Sequence, residues 1–210
     1  MPDVTDTPPA AVSRDLDALR GALDREIPAK ALDRNLLIAT WNVRHFGGLT
    51  EQWRAGENDS PKRDLHSLRA IAEIIRRFDV VAVQEIRGNL KALRHTMKAL
   101  GPDWGFIISD VTRGAPGNDE RLGFLFDRRR VTISGLAGEL VVPASELERV
   151  GPDALDRQFA RTPYAVAFRC GGRTFVLVTL HVLWGGSAKI VRGTSWRSSG
   201  TVSPVETKAS

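Results

Sequence analysis

A two-sheet α/β sandwich is the fold class this sequence predicts, on three observations. Helical and strand periodicities alternate over the first hundred residues, the texture then turns to strands alone, and no internal repeat runs along the chain. A regular doubly wound sheet would keep alternating to its end, so strands that follow strands point to a second sheet. The 210 residues, 42% hydrophobic and 26% charged, exclude a disordered or fibrous chain. A chain of this length can bury a core without staples. Its single cysteine, Cys170, cannot form an internal disulfide, which fits a reducing compartment or simple indifference to redox. No basic stretch leads into an apolar run near Met1, so the expected location is the cytoplasm. The longest apolar runs are of strand length, so no membrane span is expected. A net charge of +5 makes polyanions reasonable partners without requiring them.

The elements follow in order. Residues 1–12 are rich in Pro and Thr, have no period, and read as a disordered tail. Within 13–34, an N-terminal helix and linker, Leu16, Leu19, Leu23 and Ile27 recur at helical spacing, Asp15 and Asp17 suit the first turn, and Pro28 ends the helix. Residues 36–41 read as a buried strand and 42–48 as the loop leaving it. Ser60 and Pro61 look like a helix cap and first-turn proline, with Leu65, Leu68, Ile71, Ile75 and Phe78 on one face. Residues 80–83 form a fully buried strand ending at Gln84 and Glu85, and a helix from about Asn89 turns Leu90, Leu93, Met97 and Leu100 inward. Strands are then expected at 106–108, 122–126, 131–133 and 139–142, with 143–160 irregular. A hairpin joins 164–168 to 174–180 through Gly171 and Gly172. Residues 185–210 carry six serines and four glycines with no Asp, His or Asn, and read as disordered.

Polar side chains sit where these strands stop, the place where α/β folds put ligands. Asn42 follows the first strand and Glu85 the second; Glu120 and Arg161 precede later strands, and His181 follows the last. Each has an ordinary structural reading. Asn42 is a good turn former, Glu85 could pair with Arg87, His181 could be a satisfied edge histidine, Glu120 lies in a solvated charge run, and Arg161 could cap a loop. In combination they suit one chemistry. A carboxylate and an amide fit a hard divalent cation that keeps waters for substrate phosphate oxygens. A histidine oriented by a carboxylate is a general acid or base, and an arginine offers fixed charge to a phosphate. These are the groups that phosphoester hydrolysis requires.

Five segments carry a resemblance. Ala39-Thr40-Trp41-Asn42-Val43-Arg44-His45-Phe46-Gly47 resembles the opening strand of the endonuclease/exonuclease/phosphatase superfamily, in particular its pancreatic-type deoxyribonuclease branch. Asp79-Val80-Val81-Ala82-Val83-Gln84-Glu85-Ile86-Arg87 is similar to its metal-carboxylate strand, and Asn118-Asp119-Glu120-Arg121-Leu122 to the segment whose glutamate orients the catalytic histidine. Phe159-Ala160-Arg161-Thr162-Pro163 and Thr179-Leu180-His181 resemble the arginine loop and the first catalytic histidine. The five stand in family order over residues 36–184. The resemblance implies that Glu85 binds Mg2+ or Mn2+ with Asn42 beside it, that Glu120 fixes His181 as the proton-transfer group, and that Arg161 neutralises the scissile phosphate. Arg44 and Arg87 would flank a nucleic-acid track, with DNA the expected partner ahead of RNA, and another phosphoester the alternative.

The same resemblance marks departures. The family's Asp-x-Asn motif and late Asp-His pair have no counterpart here, and the composition shift after Trp184 is of the kind that a frameshift or internal truncation produces. The expected organisation is a partial domain over 35–184, truncated after the histidine strand, with sheet faces left uncovered and hydrolytic activity impaired. Asn118 stands where the branch has a groove-stacking tyrosine, which widens the substrate range to other phosphoesters. Two further readings follow: a non-catalytic phosphate-binding module using Arg44, Arg87, Arg161 and the run Arg128-Arg129-Arg130, and a phosphatase of the same superfamily.

Overall fold

The computed structural model describes residues 1–110, 119–141 and 162–181. Helix α1 (Ala10–Glu26) precedes β1 (Ile38–Phe46), α2 (Leu65–Ile75), β2 (Val80–Arg87), α3 (Lys91–Leu100), β3 (Trp104–Ile108), β4 (Glu120–Asp127), β5 (Thr132–Glu139), β6 (Tyr164–Cys170) and β7 (Arg173–Thr179). A four-stranded sheet has the order β1-β2-β4-β3, with β1 parallel to β2 and the other pairs antiparallel. A three-stranded antiparallel sheet has the order β5-β6-β7. The expected two-sheet α/β class is therefore the class observed.

Strand β2 reads as an unbroken apolar run because both of its faces are buried. Val81, Val83 and Ile86 join Leu65, Leu68, Ile75 and Leu93 in a core on the helix side. Val80 and Ala82, pointing the other way, join Leu122, Phe124, Phe126, Tyr164, Val166 and Phe168 in a core between the sheets. There the rings of Phe124 and Phe126 each lie 5.6 Å from that of Phe168, edge to face. At the β6–β7 turn Gly171 and Gly172 have φ of 53° and 79°, the left-handed pair that a tight hairpin demands and glycine supplies without a Cβ clash.

Several expectations need correction. The first dozen residues are not a loose tail: Val4 is fully buried in the helix-side core, and its carbonyl accepts from Arg69 Nη1 at 2.8 Å. One apolar residue, presented by a turn that Asp3 closes on the Thr5 amide, is enough to dock a stretch that has no period. Helix α1 consequently starts at Ala10, which moves Asp15 and Asp17 out of the first turn. Asp15 instead pairs with Arg54 at 2.7 Å, and Arg20 ties α1 to Glu73 of α2 at 2.7 Å. Ser60 does not cap α2. Asp64 does, accepting from the Ser67 amide at 2.8 Å. Strand β1 runs on through Asn42 to Phe46, where a loop was expected, because an exposed edge tolerates polar side chains. The two strands expected at 131–133 and 139–142 are one strand, β5, bent at Gly135 with φ 87°. The face of the larger sheet is not left bare, since β5–β7 cover it. Half-exposed apolar residues remain on both sheets, Ile38 and Phe106 on the larger and Ile133, Leu136, Val176 and Val178 on the smaller; the last two alternate with Phe175 and Leu177, which pack inward. Residues 143–160 and the C-terminal stretch 185–210 lie outside the described residues.

Opposite the strand ends that carry the candidate residues, the sheet is pinned by buried charge. Asp79 is fully buried; its carboxylate accepts from the Leu37 amide at 2.8 Å and from Arg130 Nε at 2.9 Å. Arg130 also donates to the carbonyl of Asn35 at 2.7 Å, so one guanidinium joins the approach to β1 with the start of β2. Within the Arg128-Arg129-Arg130 run, Arg130 is buried on Asp79, Arg129 is exposed but paired with Asp127 at 2.8 Å and Asp103 at 3.3 Å, and Arg128 is exposed.

Removing one member of a buried pair leaves the other uncompensated, at a cost of about 3–5 kcal/mol. Asp79→Ala should lower unfolding stability by that order in urea titration; an unchanged midpoint would remove Asp79 from this role. Burial raises the Asp127 carboxyl, but Arg129 and Lys30 outweigh it and bring it from 3.8 to about 2. Its contribution to stability is complete above the unfolded value of 3.8 and fades as pH falls through about 2. Asp127→Asn should flatten the acid limb of a melting-temperature profile within that window.

Candidate active site

Glu85 occupies a gap in two ladders. The β1–β2 register lapses between Asn42 and Phe46, and the β2–β4 register between Val83 and Ile86. Glu85 itself has φ 62° and His45, across the gap, φ 50°. Left-handed backbone at a non-glycine residue costs on the order of 1–3 kcal/mol and persists only where the surroundings over-determine it. Here they do: Glu85 Oε2 accepts from the His45 amide at 3.0 Å, and Oε1 from Asn42 Nδ2 at 2.9 Å. The bulge re-aims the carboxylate out of the ladder. Burial raises the Glu85 carboxyl, but the His45 and Asn42 donors, with the nearby imidazoles, hold it below the ordinary carboxylate range.

His181, just past β7, closes the group. Its Nε2 lies 3.3 Å from Asn42 Nδ2 and 3.8 Å from Glu85 Oε1, and its Nδ1 lies 3.5 Å from Glu120 Oε2. An amide nitrogen can only donate, so the Asn42 contact assigns the lone pair to Nε2 and the proton to Nδ1, on the side of Glu120. Glu120 opens β4 and is 3% exposed; Arg87 Nη1 stands 3.6 Å from its Oε1. Asn42, Glu85, Glu120 and His181, read separately from the ends of different strands, thus form one constellation.

A model of the endonuclease/exonuclease/phosphatase family matches residues 39–156, more than half of the chain. The chain belongs to that family. No curated protein matches it. Among solved structures, an endonuclease/exonuclease/phosphatase family protein from Leptotrichia buccalis C-1013-b is similar at 12% identity and a TM-score of 0.41, over 71% of this chain and 54% of that one. The chain thus spans about half the length of that structure.

In this member of the endonuclease/exonuclease/phosphatase family the arginines divide. Arg87 is turned onto the site, with Nη2 2.6 Å from His45 Nδ1 as well as its contact to Glu120. Arg44 is exposed on β1, and Arg161 lies outside the described residues. Two supporting residues were not singled out by the motifs. Buried Gln84 donates through Nε2 to Thr40 Oγ1 at 3.1 Å and Thr179 Oγ1 at 2.8 Å, joining β1, β2 and β7 beneath the site and setting where His181 emerges. Arg63 grips the carbonyls of Arg44 and His45, which holds the left-handed turn at His45. A polar residue inside an apolar strand was the signal that could have found Gln84; none marked Arg63, which reaches β1 from the loop ahead of α2. No helix among the described residues is long and apolar enough to cross a membrane.

Asn42→Ala removes one of the donors that stabilise ionised Glu85, so the Glu85 carboxyl should titrate at higher pH in the variant. Carboxyl-carbon NMR against pH measures this, and coincident curves would contradict the geometry described.

Proposed function

We propose that this chain is a divalent-metal-dependent phosphodiesterase, most closely a deoxyribonuclease-like endonuclease. The observation that carries the reading is the convergence of Asn42, Glu85, Glu120 and His181, with Glu85 to His181 at 3.8 Å and His181 to Glu120 at 3.5 Å. Family membership supports phosphoester hydrolysis as the reaction class.

The donor set suits magnesium or manganese. Among the described residues there is no cluster of three His, Cys, Asp or Glu side chains that would cage an ion. One ionised carboxylate beside an amide is instead the pattern of a cation that keeps most of its ligand positions for water and substrate phosphate. Glu85 would hold it, with Asn42 adjacent; when bound, it supplies Lewis-acid polarisation of a phosphoryl oxygen.

The remaining roles belong to the chain. His181 Nε2 takes a proton from the attacking water as that oxygen bonds to phosphorus. The scissile P–O bond breaks with its electron pair going to the departing oxygen, which is protonated from solvent. Glu120 fixes the Nδ1–H tautomer of His181 and stabilises the imidazolium that forms. Arg87, 3.6 Å from Glu120 Oε1, gives that nearly closed carboxylate a cationic partner. Arg161 would neutralise the phosphate.

General acid–base assistance is worth about 10²–10⁴-fold. Cleavage of supercoiled plasmid and of bis(p-nitrophenyl) phosphate with Mg2+ should fall by that order in His181→Ala and be lost in Glu85→Gln. A His181→Ala variant that cleaves at the parent rate rejects the assignment. Preference for a phosphomonoester would make the chain a phosphatase, and binding of nucleic acid without cleavage by the parent would make it a binding module.

A further inference from the structure

A cavity of about 500 Å3 opens where β2 passes into α3 and is lined by Gly88, Asn89, Leu90, Lys91, Arg94 and His95. Lys91, Arg94 and His95 stand at i, i+3 and i+4 of α3 and share one face of it. Arg94 is exposed and has no ion-pair partner among the described residues. One carboxylate, Glu51, answers the other two, 2.8 Å from Lys91 Nζ and 3.6 Å from His95 Nε2. His95 Nδ1 is buried with no hydrogen-bond partner. The balance in the cavity is positive.

The cavity adjoins the candidate active site through Gly47. The Gly47 carbonyl accepts from the Ala92 amide at 2.8 Å, and a Cβ on Gly47 would stand 2.7 Å from Arg87 Cβ and 3.4 Å from the Asn89 carbonyl. The first amide of α3 is likewise occupied, Lys91 N donating to Asn89 Oδ1 at 2.9 Å. With those amides used internally, recognition at this place falls to the side chains.

We propose that this cavity is a second phosphate subsite, at which Arg94, Lys91 and His95 take a backbone phosphate of a nucleic-acid strand whose scissile phosphate lies at Glu85 and His181. The proposal rests on the hydrolase reading of that first site. Glu51 acts against it: an incoming phosphate must displace the carboxylate from Lys91, so Glu51 lowers affinity for any anion and selects for a polyanion that is also held elsewhere. A strand supplies that second attachment, and an isolated phosphate does not.

The test is fluorescence anisotropy with a 5′-labelled 12-nucleotide single-stranded DNA, in a Glu85→Gln background so that the probe stays intact. Lys91→Ala with Arg94→Ala should weaken binding about tenfold or more and reduce the salt slope by about 0.7 for each phosphate that is no longer neutralised. Glu51→Gln should tighten binding, and Arg14→Ala, on α1, should change nothing. Wild-type affinity and salt slope in the double variant would overturn the subsite, as would an unchanged affinity in Glu51→Gln. Inorganic phosphate that shifts the His95 ring resonances where the oligonucleotide does not would reassign the cavity to a free phosphate and overturn the strand reading. If the parent protein binds DNA through Arg94 but never cleaves it, the hydrolase reading fails and the subsite stands; cleavage without dependence on Arg94 gives the converse.

Discussion

The architecture depends on a charge that is never exposed. Asp79 sits at the mouth of β2 with its carboxylate engaged by the Leu37 amide and by Arg130, while its backbone carbonyl accepts from the Asp127 amide at 2.9 Å. β1, β2 and β4 are thereby held in one register at the end away from the site. Because side chains in a strand alternate with period two, a slip by one residue would exchange the two faces of β2 and put Val80 where Val81 belongs. A register held at one end is delivered at the other, where Asn42 comes opposite Gln84 and one residue from Glu85.

At that other end order is deliberately incomplete. Both ladders flanking Glu85 lapse, and the freed backbone is held by side chains: Arg63 on the carbonyls of Arg44 and His45, and Glu85 on the amide of His45. Gln84 meanwhile bridges the two sheets through Thr40 and Thr179. A buried amide whose two hydrogens both find hydroxyl acceptors carries little desolvation penalty and is specific in what it joins. It brings His181 to the larger sheet although its own strand belongs to the smaller one.

What was legible in the sequence follows from what each signal measures. β2 and the β6–β7 hairpin were readable because burial on both faces and a left-handed Gly-Gly turn leave unmistakable residue patterns. The starts of helices were less so, because Ser60-Pro61 and Asp64 carry equally good capping chemistry, and only the packing of Leu65 selects between them. Asn42, Glu85, Glu120 and His181 could be named from their positions at strand ends, but their mutual distances are tertiary facts. The arginines misled most. A run of three guanidiniums looks the same in sequence whether it faces solvent or, as with Arg130, fills a buried ion pair whose partner lies fifty-one residues away.

The left-handed backbone at Glu85 bears on how this chain can change. Glycine alone accepts φ near 62° without strain, so at this position the residue that best suits the backbone is one that carries no carboxylate. Relief of that strain and loss of the hydrogen bonds to His45 and Asn42 pull in opposite directions, and what decides between them is the chemistry. A lineage released from selection for the reaction would drift here toward small, conformationally free residues at little cost to folding, whereas one still under selection must retain both the strained main chain and the clamp that supports it.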